Sequence, residues 1–450
     1  MGSTSLKEYI DQIKLADTHE HLISESFRNK RDLDFTYLMP MYINSDLVSA
    51  GMPLDELEMI RRPGAEMYQA VEDNLEPGVQ TYPFNERLPK NEISLDEKWR
   101  IISPYWQKIQ NTGYVKGIYK ATKNLFNIDA IDEHTYAPLS EALQESRKPG
   151  WYDHVLHEKA GIDFCIVDNG MMPMDNPCFY PTVRFHRFIY VADRTALNRL
   201  EFSTDRSITR LDDLIEGMAA DMAQKKKDGM RAIKIVLAYR RPINFENAAK
   251  TEAESVFDRL FTHPNANLSW EESIPMQDYM QHEVIRAAVD LNLPIQIHTG
   301  MQTGSGNVIA NSRPGLLTNL FMRYQKARFD IFHAGYPFHS ELAVLAKNFP
   351  NVNANLCWLP IISPWMAERV LREWFEVIPI SKIFAFGGDY TIVEGALGHA
   401  IITRQVVANV LVEKITRGYF SESQARDCAV GILSQNAREF YAIGNNMAGL

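Results

Sequence analysis

Two histidines separated by one residue, His19 and His21, stand near the start of the sequence. In a β-strand, successive side chains alternate between two faces, so both imidazoles and Asp17 are predicted to point the same way. Two imidazoles on one strand face can bind the same metal ion. Because this spacing also arises by chance, a metal site is indicated only if later segments supply further ligands.

Three later segments also place a possible metal ligand at the end of an apolar run, at His298, His333 and Asp389. Each of these residues is the first strongly polar one after an apolar run, and a turn or loop follows each. A single such residue can simply cap a strand. Strand ends that carry histidines and an aspartate in this order instead predict one shared site. Nitrogen and carboxylate ligands without thiolates suit Zn²⁺, which we prefer, or Mn²⁺.

After residue 160, short apolar runs alternate with helical patterns. These runs are the predicted strands whose ends carry the candidate ligands. With the first segment they give about eight predicted strands, at residues 15–22, 162–167, 188–192, 232–238, 295–298, 329–333, 352–357 and 383–387. Alternating strands and helices favour a parallel sheet, and eight such units favour a (β/α)8 TIM barrel, whose active site lies at the carboxyl ends of the strands. A doubly wound open sheet is the alternative, but no glycine-rich phosphate loop follows a predicted strand.

The remaining sequence is predicted to belong to the same domain, which spans residues 1–450. A mostly helical insertion follows strand one at about residues 24–150, and two long helices are predicted at 394–416 and 421–441. The insertion keeps many large apolar residues, so we expect it to fold rather than to form a disordered linker.

Composition narrows the classes of function. The 450 residues are 45% hydrophobic and carry a net charge of −10, which argues against nonspecific nucleic-acid binding. No apolar run approaches the ~20 residues of a membrane span, and no signal peptide is visible, so no membrane partner is expected. The scattered cysteines suggest no disulfide framework, and a cytoplasmic location is the default. A homo-oligomer is left open. The cysteines are Cys165, Cys178, Cys357 and Cys428.

This arrangement of histidines and aspartate resembles the signature of the amidohydrolase superfamily. The residues of the motifs are most similar to the amidohydrolase 2 branch, and within that branch to the barrel domain fused to glutamine synthetase in fungi and plants. The similarity covers most of residues 9–441. The matching motifs lie at residues 17–21, 234–240, 333–337 and 386–389.

The resemblance implies roles for the site residues. His19, His21, His298 and Asp389 would surround a divalent metal, and His333 would contact the substrate or polarise its carbonyl. A metal can lower the pKa of bound water to about 7. Asp389 would then hold that water, accept its proton and pass it to the leaving group, so Asp389 and His333 are the predicted catalytic residues.

Strand four carries three further candidates. Binuclear members of the superfamily have a carbamylated lysine on this strand, but four apolar residues follow Lys234, which predicts a position below the rim. One metal ion is therefore favoured over two. Tyr239 and Arg240 come at the predicted end of the strand and are expected to bind substrate. An arginine there can hold a carboxylate by two parallel hydrogen bonds, whereas the alternative is a surface arginine.

The sequence therefore predicts a metal-dependent hydrolase that uses a metal-activated water on a small carboxylate-bearing amide or lactone. A decarboxylase or a uronate-isomerase-like enzyme on the same scaffold is the first alternative. A catalytically silent barrel that binds a partner is the second. Competent residues fill all five metal-site positions, which argues against the silent barrel.

Overall fold

The computed structural model describes residues 5–60, 93–172, 174–263 and 265–444. Eight parallel strands form one sheet in the order of the sequence, which confirms the predicted (β/α)8 barrel. The strands are β1 (Leu15–Glu20), β2 (Ile162–Asp168), β3 (Phe179–Val183), β4 (Ala232–Ile235), β5 (Ile295–Ile297), β6 (Phe329–Ile331), β7 (Val352–Asn355) and β8 (Ile383–Phe384).

Backbone hydrogen bonds close the sheet between the segment after β8 and β1. Thr18 N donates to Phe386 O at 3.2 Å, and Asp389 N donates to His19 O at 2.8 Å. His21 N donates to the carbonyl of the residue after Asp389 at 2.9 Å. The backbone that closes the barrel is therefore the backbone that carries three of the predicted metal ligands.

Several strands end earlier than the sequence predicts. β4 stops at Ile235 instead of continuing to residue 238, and Leu237–Tyr239 forms a 3-10 turn. β6 and β8 likewise stop before His333 and Asp389, whose φ angles are 61° and 59°. A left-handed residue cannot continue a β-ladder. His333 and Asp389 therefore lie on loops just beyond their strands, whereas His19 lies within β1.

The third strand was predicted in the wrong place. The expected strand at residues 188–192 is absent, and a 3-10 helix, His186–Phe188, leads into a loop there. β3 instead lies at Phe179–Val183 and pairs with β2 through Pro181, opposite Val167. Proline has no N–H to donate and is rare inside sheets, so this segment lacked a strand signal.

Helices surround the barrel and build the insertion. Part of the predicted insertion, residues 61–92, lies outside the described residues. The α-helices of the described part are Leu6–Gln12, Glu25–Arg28, Tyr42–Ser49, Leu54–Ile60, Leu95–Ile109, Gly113–Phe126, Tyr136–Glu145, Arg194–Thr204, Leu211–Lys227, Lys250–Thr262, Trp270–Asp290, Thr318–Arg323, His339–Asn348, Leu359–Ile362, Pro364–Val377, Val393–Thr416, Glu422–Val430 and Asn436–Phe440.

The insertion packs closely on the Val393–Thr416 helix. A Cβ atom added at Gly398 would lie 2.1 Å from Gly117 O, so only glycine allows the two helices to approach this far. The Val393–Thr416 helix is long and apolar enough to cross a membrane, with a mean hydropathy of 1.3 over its best window. Because 78% of that window is buried within the fold, the helix is a core element of the barrel domain.

A buried ion pair also fastens the insertion to this helix. Arg28 is fully buried, and its Nη2 donates to Glu394 Oε1 at 2.5 Å and to Ser146 Oγ at 2.8 Å. Trp151 Nε1 donates to the same carboxylate oxygen at 2.9 Å. Removing one partner of such a pair leaves a buried, uncompensated charge, which typically costs about 3–5 kcal/mol. The insertion is thus firmly attached to the barrel.

A polar network fills the barrel interior on the amino-terminal side of the site. Tyr441 OH donates to Asp330 Oδ2 and accepts from Gln296 Nε2 at 2.8 Å. Asn355 Nδ2 donates to the same Asp330 oxygen at 3.0 Å and to Thr18 Oγ1 at 2.9 Å. Burial raises the pKa of Asp330 to about 7, although both of its hydrogen-bond donors oppose the shift. The segment after the last helix therefore closes the floor of the barrel.

Candidate metal centre

Three of the predicted ligands meet at the carboxyl end of the barrel. Asp389 Oδ1 lies 3.1 Å from His21 Nε2 and 3.6 Å from His19 Nε2. His19 is fully buried, and Asp389 is 6% exposed. The His-x-His pair at the end of β1 and the aspartate after β8 therefore form one cluster. Asp17 plays a different part, since its Oδ1 accepts from the backbone N of His19 at 3.1 Å and of Gly388 at 3.0 Å.

The two remaining histidines lie on the other side of Asp389. His333 Nε2 is 3.9 Å from Asp389 Oδ2 and 3.0 Å from His298 Nδ1. His298 thus joins the cluster through His333. The ligand roles of the four predicted residues remain predictions, and the structure shows that all five side chains share one site.

The glycines before Asp389 explain how β1 can approach it so closely. A Cβ at Gly388 would lie 1.8 Å from Glu20 Oε1, and a Cβ at Gly387 would lie 2.6 Å from Thr18 Oγ1. Side chains at either position would push the loop away from β1. Small residues here are therefore a condition for the contact between Asp389 and the histidines.

Backbone carbonyls fix the protonation of three imidazoles. A carbonyl oxygen only accepts hydrogen bonds, so the ring nitrogen facing it carries the proton and the other nitrogen carries a lone pair. This holds for His21 Nδ1 at 3.1 Å, His298 Nε2 at 2.9 Å and His333 Nδ1 at 3.0 Å from their acceptors. The acceptors are the carbonyls of Asp168, Met301 and Cys357, respectively. Metal-binding histidines are typically anchored in this way.

The unprotonated nitrogens then face other lone pairs. His21 Nε2 faces Asp389 Oδ1, and His333 Nε2 faces His298 Nδ1, both at about 3 Å. Two lone pairs this close repel each other unless a proton or a metal cation lies between them. Burial lowers the pKa of His333 to about 4 and the pKa of His298 and His19 well below the usual value, which disfavours the proton. His19 Nδ1 is buried without a partner. The donor set fits a divalent metal.

The Asp389 carboxylate supplies the negative charge of the site. Burial alone would raise its pKa, but a hydrogen bond from His21, which requires a proton on Nε2, and the nearby His333 and Lys234 hold the pKa of Asp389 well below its usual range. Asp389 is therefore ionised at neutral pH. An ionised carboxylate beside unprotonated imidazoles can bind a cation and can accept a proton.

Lys234 lies at the site rather than below the rim. Its Nζ is 3.2 Å from His19 Nε2 and 3.7 Å from the centre of the Phe332 ring. The predicted position was wrong because β4 ends one residue after Lys234. Burial lowers its pKa to about 8, and no described carboxylate lies within ion-pair distance of it. The preference for one ion over two remains a prediction.

The two predicted substrate-binding residues lie on the turn after β4. The Tyr239 ring is 5.0 Å from the His298 ring, and its hydroxyl accepts from Thr303 N at 3.1 Å. The Arg240 guanidinium lies 4.8 Å over the Tyr190 ring. Arg240 Nη2 and Tyr190 OH are both buried without a hydrogen-bond partner. Tyr239 therefore borders the histidine cluster, and Arg240 retains unused hydrogen-bonding capacity.

Sequence reasoning missed three residues of this site. Asp168 ends β2, anchors His21 through its carbonyl and binds Arg184 through Oδ2, at 2.9 Å to Nε and 2.6 Å to Nη2. Asp168 follows an apolar strand, so the signal used for His298 could have found it. Tyr42 OH donates to Asp389 O. No local pattern marks Tyr42, because it comes from the insertion.

Sequence comparison agrees with this geometry. Residues 183–443, more than half of the chain, match the amidohydrolase family model. Protein fluG of Emericella nidulans is 25% identical over 219 residues. That match covers 47% of this chain and 25% of the relative, so it spans only a quarter of that protein.

Solved structures show the same fold. A candidate metal-dependent hydrolase from Lactobacillus casei superposes with a TM-score of 0.65 at 18% identity and covers 98% of both chains. A uronate isomerase from Thermotoga maritima superposes with a TM-score of 0.70 at 15% identity and covers 96% of both chains. With more than half of its length matched by the family model, this chain belongs to the amidohydrolase family.

Proposed function

We propose that the protein is a metal-dependent hydrolase acting on a small carboxylate-bearing amide or lactone. The observation that carries this proposal is the ionised carboxylate of Asp389, which the carbonyl-anchored imidazoles of His21 and His333 face, with His298 in contact with His333. His19, His21, His298 and Asp389 would hold one divalent ion, with Zn²⁺ preferred over Mn²⁺. Membership of the amidohydrolase family supports the same conclusion.

The side chains around the ion have separate tasks. A divalent cation, when bound, supplies a Lewis acid that polarises an oxygen of water or substrate. Asp389 accepts a proton from the attacking water, because its carboxylate is ionised, and then donates that proton to the leaving group. His333 presents an unprotonated Nε2, since its Nδ1–H is held by Cys357 O. It therefore suits a ligand or an acceptor better than a donor to a substrate carbonyl.

The charge of the substrate is inferred from Arg240 and Tyr190. Their buried, unused atoms, Nη2 and OH, can both donate hydrogen bonds. A carboxylate supplies only acceptors and binds a guanidinium by strong, charge-assisted hydrogen bonds. We therefore place the substrate carboxylate at Arg240, away from the reacting bond.

A second candidate function is a lyase or isomerase on the same residues. The Thermotoga maritima uronate isomerase favours it, because that structure covers 96% of this chain with a TM-score of 0.70. Moving a proton between two carbons also requires an ionised base such as Asp389. A catalytically silent barrel is the third candidate, and metal content separates it from the other two.

One experiment distinguishes these candidates. The protein is purified without added metal and its metal content is measured, and turnover of carboxylate-bearing amides, lactones, aromatic acids and uronates is followed before and after chelation. We expect about one divalent ion per chain and hydrolysis that chelation abolishes and Zn²⁺ or Mn²⁺ restores. An active metal-free protein would refute the metal mechanism. Turnover of uronates or release of carbon dioxide without hydrolysis would select the second candidate.

A further inference from the structure

We propose that Tyr42 of the insertion is a positioning residue that holds the backbone of Asp389, so that its carboxylate faces the histidines. The proposal rests on the proposed metal site for its catalytic meaning. Tyr42 belongs to the Tyr42–Ser49 helix and is 2% exposed, and its hydroxyl donates to Asp389 O. An element outside the barrel therefore contacts the residue on which the proposed chemistry depends.

Asp389 needs such a contact because of its backbone conformation. Its φ of 59° is left-handed, a region that costs most residues with a side chain roughly 1–2 kcal/mol and aspartate less. Such a conformation persists only where the surroundings determine it. Here Asp389 N donates to His19 O at 2.8 Å, and Asp389 O accepts from Tyr42. Both polar backbone atoms of the residue are thus held, which fixes the direction of its Cα–Cβ bond.

Aromatic packing holds Tyr42 in place. Its ring packs in near-parallel, offset contact with Tyr114, at 4.9 Å and 18°, and with Trp358, at 4.8 Å and 28°. The Tyr114 and Trp358 rings are 6.3 Å from each other. The Trp358 ring in turn meets the edge of His333 at 5.2 Å. One aromatic stack therefore links the insertion to the loops after β7 and β6, as well as to Asp389. The tyrosine hydroxyl can then sit at one defined point.

The two stacked tyrosines differ in one respect that allows a matched test. Tyr42 OH is bonded to Asp389 O, whereas Tyr114 OH is buried without a partner. Tyr42→Phe removes the bond and keeps the ring, and Tyr114→Phe removes a hydroxyl of similar burial that bonds to nothing. A purely structural role of the stack predicts similar behaviour of both variants.

The first measurement needs neither metal nor substrate. Hydrogen–deuterium exchange of the metal-free proteins is followed for peptides that cover residues 386–392. We expect faster exchange in Tyr42→Phe and the exchange of the parent protein in Tyr114→Phe. Equal exchange in the parent and in Tyr42→Phe would overturn the proposal. Equal acceleration in both variants would also overturn it, since packing alone would then explain the effect.

The second measurement reports on the metal ligands. Cobalt(II) is bound to each protein, and its visible absorption spectrum, kcat and KM are recorded. Tyr42→Phe should alter the spectrum and lower kcat at least about tenfold with little change in KM, because a misdirected base affects the reaction more than binding. Tyr114→Phe should match the parent. A parent protein that binds no cobalt would refute the proposed metal function, while exchange would still show whether Tyr42 holds the loop.

Discussion

Replacing Gly398 by alanine should weaken the fold and the activity together. The added Cβ would lie 2.1 Å from Gly117 O, whereas carbon–oxygen contacts are normally about 3.3 Å or longer. The Gly113–Phe126 helix of the insertion must therefore move by about 1 Å. Overpacking of this kind costs about 1–3 kcal/mol, and the better helix propensity of alanine returns up to about 1 kcal/mol. We expect a net loss of up to about 2 kcal/mol.

The displacement has a functional effect because the same insertion carries Tyr42. A misplacement of about 1 Å at a reacting group can lower a rate on the order of a hundredfold. Gly398→Ala should therefore lose more turnover than its small loss of stability explains. Its kcat should fall at temperatures where circular dichroism still shows a fully folded protein.

Gly217→Ala is the matched control. Gly217 also lies inside a helix, Leu211–Lys227, but its added Cβ would meet only Arg206 Cδ at 3.9 Å. This variant should be as stable as the parent or up to about 1 kcal/mol more stable. Urea unfolding and steady-state kinetics of the three proteins test the reasoning. Equal stability of the two variants would refute the packing argument, and full turnover by Gly398→Ala would show that the site tolerates a shifted insertion.

Three further changes test separate parts of the site and the core. Asp389→Asn should keep the far-ultraviolet circular dichroism of the parent and abolish turnover, because the amide cannot accept the proton; turnover within tenfold of the parent would exclude Asp389 as the proton carrier. Arg240→Lys should raise KM for an acid substrate at least about tenfold, or about 1.4 kcal/mol, and leave its methyl ester unaffected. An equal rise in KM for the acid and the ester would show that Arg240 supports the fold rather than binds the carboxylate. Asp330→Asn tests pH dependence. Burial raises the pKa of Asp330 from 3.8 to about 7 in the folded protein, so its contribution to stability is greatest below pH 4 and is lost as the pH rises through 7. The melting temperature should therefore fall less between pH 5 and pH 8 in the variant than in the parent, and equal slopes would contradict the shift.

Local sequence pattern was enough to locate the histidine cluster and the barrel. His298 and Asp389 stood out because each ends an apolar run, and strand ends of a barrel converge without further information. The same logic failed where local signals conflict. Pro181 concealed β3, and the apolar residues after Lys234 continued the apparent strand beyond its true end. A left-handed turn or a proline thus changes where a strand begins or ends, and the pattern of apolar residues alone does not show this.

Long-range contacts account for what sequence reasoning could not reach. Tyr42 and Asp389 are separated by 347 positions, and the tyrosine carries no pattern that separates it from others in the insertion. The orientation of His21 depends on the backbone carbonyl of Asp168. Because every residue has a backbone carbonyl, the sequence does not mark this one. Backbone acceptors leave no trace in the side-chain sequence, so the protonation of the imidazoles becomes visible only in three dimensions.

The closure of the barrel between its first and last strands has a consequence for biosynthesis. Asp17 and Gly388, which are hydrogen-bonded, are 371 positions apart, and Tyr441 completes the floor still later. At about 5–20 residues per second, a ribosome needs roughly 20–70 s to make the intervening chain. During that time the buried polar residues of β1 have none of their partners from β8. The nascent chain therefore cannot complete the histidine–aspartate cluster before Asp389 has been made, and the floor beneath the cluster is completed only with Tyr441.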